Sequence, residues 1–328
     1  MATPVKAAKS QRPANAATIT SRDNRWLKEF RLALRGGLPT QSGCVGVEGV
    51  RLVEEALRSG CKIEAVLFSE SGERHHERLA PFIDRPEMAF PVLQTTDRLF
   101  EGIADTEHPQ GIAALVAPRV ATFDEILRVP GEACSTLLVV LAGVQDPGNV
   151  GTILRTASAF GATGAVTTAS GQSGTASPFS PKALRASAGA ALHLPILAGM
   201  SLPILLTQLR VANVRTLAAV AHNRDTSLVR AESSPAAAQH AAPHLGEIST
   251  PEVPLFPWEV DWCQPVALLV GNEGAGLPEE VERSADARIR IPMASGIESL
   301  NAAAAAAVLF YEAARQRKSL PSRNEQKP

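Results

Sequence analysis

The chain has 328 residues, of which 45% are hydrophobic and 20% charged, with a formal net charge of −1. That is enough apolar content for about two domains of ~150 residues and excludes a globally disordered polyelectrolyte. No uninterrupted apolar run reaches the ~18 residues of a membrane span, and the N-terminus lacks the apolar segment of a secretory signal. Cys44, Cys61, Cys134 and Cys263 are far apart with no CxxC pair, which argues against a disulfide framework or zinc knuckle and fits a reduced cytoplasmic setting. The near-zero charge averages unlike regions: residues 1–35 hold eight Lys/Arg against two Asp/Glu and residues 310–328 five against two, leaving 36–309 at −10. A polyanion would therefore be held by local patches, although charged ends also serve simply to solubilise.

In chain order, residues 1–17 read as a disordered basic tail, with an organellar transit segment as the alternative. A helix is expected from Ser21, which can cap it, with Trp26, Leu27, Phe30 and Leu34 as its apolar stripe. On the same helix Arg22, Arg25, Lys28, Arg31 and Arg35 recur every three or four residues, a ridge suited to contacting phosphates. Gly36-Gly37 stops it. Apolar strands at 44–47, 63–68, 90–93 and 111–118 alternate with helical patterns at 50–57 and 74–83, predicting a compact α/β unit over 18–118. Residues 119–136 read as a linker with a short helix.

A second domain is expected over 137–317. Its LLVVLA run (137–142) has the continuous apolar character of a strand buried on both faces of a parallel sheet. Further strands are predicted at 164–168, 216–221, 266–270 and 288–291, with helices at 150–160, 181–188, 201–210 and 299–316. Residues 222–257, with PAAAQHAAP at their centre, carry no periodicity and read as a flexible insertion, and 318–328 as a second basic tail.

General site motifs are absent. There is no GxxxxGK[ST], no GxSxG and no GxGxxG, since Gly271–Gly276 reads GNEGAG with the wrong spacing. His240 and His244 are four apart, but Pro243 breaks any helix that would present both, so no metal site is expected.

Three segments follow apolar strands, where open α/β sheets place their sites. In the first, Asp146-Pro147-Gly148-Asn149 forms a turn, Asn149 is placed to cap a helix from Val150, and Arg155 follows. Alone, that unit reads rather as a strand–turn–helix with a solvated arginine. The second, 267–281, has closely spaced glycines that let backbone approach a ligand, and Leu277-Pro278 starts a helix. The third, 289–317, sets Ser299 and Asn301 at the start of an Ala-rich helix whose Ala302–Ala307 run suits close packing or is simply a good helix former.

Together and in this order, the motifs Asn149-x-Gly151-x-x-x-Arg155-Thr156-Ala157, Gly271-Asn272-Glu273-Gly274-x-Gly276-Leu277, Ile291-Pro292-Met293 and Ser299-Leu300-Asn301 closely resemble the SpoU (TrmH-type) ribose 2′-O-methyltransferases of the SPOUT superfamily. SPKALRASAGA (180–190) resembles that family's connecting element, and VEGVRLVEEAL (47–57) and TEHPQGIAAL (106–115) its N-terminal substrate-binding domain. The likeness spans roughly 19–221 and 264–317. One departure is Ser295, where many relatives have glycine; here Gly296 follows.

The resemblance implies an α/β protein with a C-terminal parallel-sheet domain threaded as a deep trefoil knot and a smaller N-terminal ribosomal-protein-like α/β sandwich. It implies S-adenosyl-L-methionine as donor, held at Gly271, Asn272, Gly276, Ile291, Met293 and Leu300. Catalysis falls to Arg155, with Asn149, Glu273, Ser299 and Asn301 around it; Glu273 is equally readable as a carboxylate that shapes the loop. A homodimer through the C-terminal domain is implied, with RNA as substrate. The separate N-terminal domain favours rRNA over tRNA. The alternatives are a tRNA 2′-O-methyltransferase, a catalytically silent RNA-binding relative, or an unrelated α/β enzyme with a glycine-rich loop.

Overall fold

The alternation of short strands and helices before residue 119 builds one sheet, and the longer apolar strands after it build another. The computed structural model describes residues 17–85, 90–128, 135–169, 174–221, 253–294 and 299–318. They divide into two units, one of residues up to Arg119 with Phe179–His193, the other of Val120–Pro178 with residues from Leu194 onward. Residues 179–193 thus leave the second domain, where the sequence pattern puts them, for the first.

The first unit contains β1 (Ala17–Ile19), α1 (Arg25–Leu34), β2 (Val45–Glu48), α2 (Val50–Arg58), β3 (Lys62–Ser69), α3 (His76–Ile83), β4 (Val92–Thr95), α4 (Asp97–Glu101) and β5 (Ile112–Ala117). Its mixed sheet runs β1-β4-β3-β5-β2, with β1, β4 and β3 mutually parallel and β5 antiparallel to both neighbours. Ala17, expected in the tail, is the first residue of an edge strand. Helix α1 begins later than Ser21: Asn24 caps it, Oδ1 accepting from Trp26 N at 2.9 Å. It buries Leu27, Phe30, Ala33 and Leu34 against Leu67, Leu93, Phe100 and Leu115. At about 1.5–3 kcal/mol for each large side chain, this face fixes the helix on the sheet.

The basic ridge needs correcting. Arg22 precedes the helix, and Arg31 Nε and Arg35 Nη1 donate to Gly102 O at 3.4 and 3.5 Å. Arg25 stacks over Trp26 and Lys28 lies 3.7 Å from Asp23. Part of the expected phosphate ridge thus closes the turn after α4, because that carbonyl lies within reach of the last helical turn of α1.

The second unit contains α5 (Phe123–Leu127), β6 (Leu137–Ala142), α6 (Pro147–Ala159), β7 (Gly164–Thr168), β8 (Ile196–Met200), α8 (Leu202–Val211), β9 (Arg215–Ala219), β10 (Val266–Gly271), α9 (Glu279–Ser284), β11 (Ala287–Ile289) and α10 (Ala302–Lys318); α7 (Pro181–Ala186) packs in the first unit. All six strands are parallel, in the order β11-β9-β10-β6-β7-β8. The central pair β6 and β10 are buried along their whole lengths.

Three expectations change here. Residues 119–128 are no mere linker: Val120 bridges to Ile196, Thr122 and Glu125 form a capping box, and Ile126 is fully buried in the second core. Strand β8, with Gly199 and half-exposed residues, lacks the pattern that would announce it. Within the supposed insertion, Leu255 pairs with Ile289 beside β11 and Phe256 stacks on Trp258, so order resumes at residue 253. The 222–252 remainder, the tails 1–16 and 319–328, Cys134, Ser295, Gly296, His240 and His244 lie outside the described residues.

Helix α10 is locked at its far end by Arg317, which donates to the carbonyls of Trp262, Ser135, Thr136 and Gln264 at 2.8, 2.6, 3.1 and 3.2 Å. Among the described residues no helix is long and apolar enough to cross a membrane, and no group of three or more His, Cys, Asp and Glu is placed to hold a metal ion. Cys44, Cys61 and Cys263 are free thiols. Burial, reinforced by Glu64, pushes the Cys44 thiol up to about 11, which leaves it protonated and inert at neutral pH.

Candidate active site

The three motif segments meet at the C-terminal ends of β6 and β10. Strand β6 leads into a turn where Asp146 caps α6, Oδ1 accepting from Asn149 N at 2.9 Å, with Pro147 in the first helical position. The helix therefore starts three residues earlier than the sequence suggests, and Asn149 lies inside its first turn. Freed from capping, the Asn149 side chain works between segments. Its Nδ2 donates to Glu273 Oε1 at 2.8 Å, and its Oδ1 accepts from Asn301 Nδ2 at 3.1 Å. Asn301 in turn caps α10, accepting from Ala303 N at 2.9 Å. One chain of side-chain hydrogen bonds, Asn301 to Asn149 to Glu273, joins residues more than 120 positions apart in sequence.

The loop after β10 is built by Asn272. Its Nδ2 donates to Gly143 O at 3.0 Å, while its Oδ1 accepts from Gly274 N and Ala275 N at 2.8 and 3.0 Å. Backbone bonds between Asn272 and Gly276 in both directions, 3.0 and 2.9 Å, close the turn. Asn272, expected to hold the donor, thus spends its side chain on shaping the loop. Gly276 takes the left-handed φ of +72°. A Cβ on Gly271 would stand 2.4 Å from Gly276 C and Leu277 N. The glycine is demanded by the loop's own backbone, before any ligand arrives.

Behind this loop lies a cavity of about 280 Å3. Residues 219–221 and 270–276 form one side; Ile291, Met293, Leu300 and Leu309 supply apolar walls, and Ser299, Glu273 and Glu282 polar ones. Of the expected donor-binding residues, Gly271, Asn272, Gly276, Ile291, Met293 and Leu300 all lie on this lining. Sequence reasoning misses Ala219–Ala221, Glu282 and Leu309, since small or apolar residues at a strand end and on a helix give no signal of a site. Asn149 and Asn301 sit at its side through Glu273 rather than on the lining. Arg155 is exposed on α6, outside the hydrogen-bonded chain. Ser299 is exposed as well.

Known proteins resemble the chain along almost its whole length. The family described as SpoU rRNA Methylase matches residues 136–311, and an MRM3-like substrate binding domain matches 40–114. A protein of Synechocystis sp. described as an uncharacterized tRNA/rRNA methyltransferase is 31% identical, covering 92% of this chain and 95% of the relative. The 23S rRNA (guanosine(2553)-2′-O)-methyltransferase RlmP of Bacillus subtilis is 28% identical over 89% of this chain and 97% of its own. The AdoMet-bound rRNA methyltransferase from Sinorhizobium meliloti superposes with a TM-score of 0.68 at 28% identity, covering 92% of this chain and 98% of that one. With the motif segments joined by hydrogen bonds beside one cavity and the match extending across both units, the chain belongs to the SpoU rRNA methylase family.

Proposed function

We propose that the chain transfers a methyl group from S-adenosyl-L-methionine to a ribose 2′-hydroxyl of rRNA in the cytoplasm. In this reading the second unit is a trefoil-knotted methyltransferase domain, and the first a ribosomal-protein-like sandwich that binds RNA. The observation that carries it is the Asn301–Asn149–Glu273 chain beside a cavity lined by the glycine-rich 270–276 loop.

The residues present fit that donor. Backbone groups of 270–276 with Ile291, Met293 and Leu300 suit an adenosine held by main-chain bonds and apolar contact, and Glu273 and Glu282 on the lining offset a positive charge. Bound there, S-adenosyl-L-methionine supplies an electrophilic methyl on its sulfonium. The protein has then to align a ribose oxygen and favour it as nucleophile. A guanidinium is a poor general base, so Arg155 does not take the hydroxyl proton. Its part is to clamp a phosphate next to the target ribose and stabilise the negative charge that grows on the 2′-oxygen. Asn149 and Asn301 hold α6, α10 and the 272–276 loop in register, and Glu273 anchors that arrangement. Arg25 and Lys28 on α1 contribute phosphate contacts away from the reacting ribose.

Mapping of ribose methylation in rRNA and tRNA from a strain lacking the protein tests the reading. One 2′-O-methyl mark in rRNA should vanish and return with the wild-type protein but not with Arg155→Ala. Loss of a tRNA mark instead assigns the tRNA alternative, and no loss anywhere assigns a silent RNA-binding relative.

A further inference from the structure

The first unit carries a cavity of its own, about 560 Å3 in volume, within the ~300–1,000 Å3 of small-ligand sites. It is bounded by the start of α2, the 106–110 loop, and Arg185 and Ala188. The carboxylates around it are already engaged. Glu48 accepts from Asp105 N at 2.8 Å and from the Thr106 hydroxyl. Glu54 accepts from Arg58 Nη2 at 2.6 Å and Arg78 Nε at 2.7 Å. Glu55 faces His193 Nε2 at 3.0 Å.

The donors are not spent in the same way. Arg185 Nη2 donates to Asp105 at 2.6 Å, whereas its Nη1 is buried without a hydrogen-bond partner among the described residues. Gln110 is oriented by accepting from Val50 N at 2.8 Å, and its amide N–H groups donate to no partner among the described residues. Arg51 and His108 are exposed at the rim and make no hydrogen bond or ion pair among the described residues. The backbone is strained at the same place. Ala188 holds a φ of +51°, a conformation that costs an L-residue about 1 kcal/mol. Next to it, a Cβ on Gly189 would lie 2.8 Å from Glu55 Cβ. Strain of this kind persists where the surroundings over-determine it, and it collects at binding sites.

We propose that this cavity receives one unstacked nucleotide of the RNA substrate, its phosphate held by Arg51 and Arg185 with His108 beside them, and its base edge met by the Gln110 amide. Guanidinium groups match phosphate in bidentate fashion, and single-stranded RNA is read through splayed-out bases met by side-chain donors. Cations at an open rim suit a nucleotide delivered on a chain. The inference rests on the reading of the protein as an RNA methyltransferase.

Full-length protein and an Arg51→Gln/His108→Gln double variant, whose altered side chains hold nothing else in place, are compared on a transcript of the mapped rRNA region. In the variant KM for RNA should rise about tenfold, with kcat at saturating RNA within about twofold of wild type. The slope of log K against log salt should shrink by about one for each phosphate that the variant no longer neutralises, which a merely structural role would not produce. Donor affinity, measured by calorimetry, should stay put. A wild-type KM and salt slope in the variant overturn the nucleotide site while leaving the methylation reading intact. A wild-type protein that methylates no RNA removes both. Micromolar binding of a free nucleoside 5′-monophosphate, abolished in the variant with RNA KM unchanged, gives the cavity to a free nucleotide and also overturns the proposal.

Discussion

Single residues divide into those whose chemistry is readable in sequence and those whose geometry is not. Gly271 is visible as a glycine in a glycine-rich loop, yet its reason is the backbone of Gly276 and Leu277 pressing at 2.4 Å. Gly271→Ala should therefore lower stability by about 1–3 kcal/mol through overpacking and weaken donor binding as the loop shifts; thermal unfolding with donor calorimetry would show it. A stable variant with wild-type donor affinity would contradict the structure. Asn149 stands out by motif, but its partners lie far along the chain, and the cap expected of it belongs to Asp146. Arg155, exposed on α6, acts in our reading on charge present only in the transition state. Arg155→Ala should reduce single-turnover methylation by about 10²–10³ and leave donor affinity where it was. Equal rates would end the proposed mechanism.

At the scale of elements, legibility follows burial. LLVVLA (137–142) is evident because β6 is covered on both faces and needs apolar residues at every position. Strand β8 at the sheet edge is only partly covered and tolerates Gly199, so nothing in ILAGM marks it. Helix α5 is too short for periodicity to register, and its single fully buried residue, Ile126, is fixed by a core assembled from distant segments. The far end of α10 shows the same logic. Arg317 in a basic C-terminal stretch reads as a solvated charge, whereas it satisfies four carbonyls from two separate segments, 135–136 and 262–264. Charged hydrogen bonds contribute about 1.5–3 kcal/mol each and are far from additive, so Arg317→Met should cost about 3 kcal/mol or more. Urea unfolding measures this; a loss within ~0.5 kcal/mol would place the arginine in solvent instead.

The whole molecule adds properties that no element owns. In the folded chain the Glu64 carboxyl lies below its ordinary range through hydrogen bonds from the Cys44 thiol and Ser42, and Asp97 through those from Ser69 and Ser71. Both stabilise the fold fully above their unfolded values near pH 4. That stability disappears as pH falls through the lower folded values. Acid should therefore reduce the urea midpoint below about pH 4, and Asp97→Asn should flatten that dependence. A midpoint with the same pH profile in both proteins would dissociate Asp97 from acid unfolding. Association is the remaining property. Along α10 the inward residues Ala303, Ala306, Phe310 and Ala313 are buried, while Ala304, Val308 and Tyr311 form an outward stripe at helical spacing, Val308 42% and Tyr311 58% exposed. Phe160 at the end of α6 meets Tyr311 edge-on at 6.0 Å, extending the apolar surface across two helices. Small residues at 302–307 let a second helix approach closely, and an isologous pairing would bury the same stripe from both copies. We expect the full-length protein to sediment as a homodimer at micromolar concentration. A Val308→Asp/Tyr311→Asp pair would place uncompensated charges in that contact, and it should shift the protein toward monomer without altering its thermal unfolding as a folded chain. Since both positions are outward on a helix held by its opposite face, a monomeric wild type, or a double variant that remains fully dimeric, would show that the chain does not pair through α10.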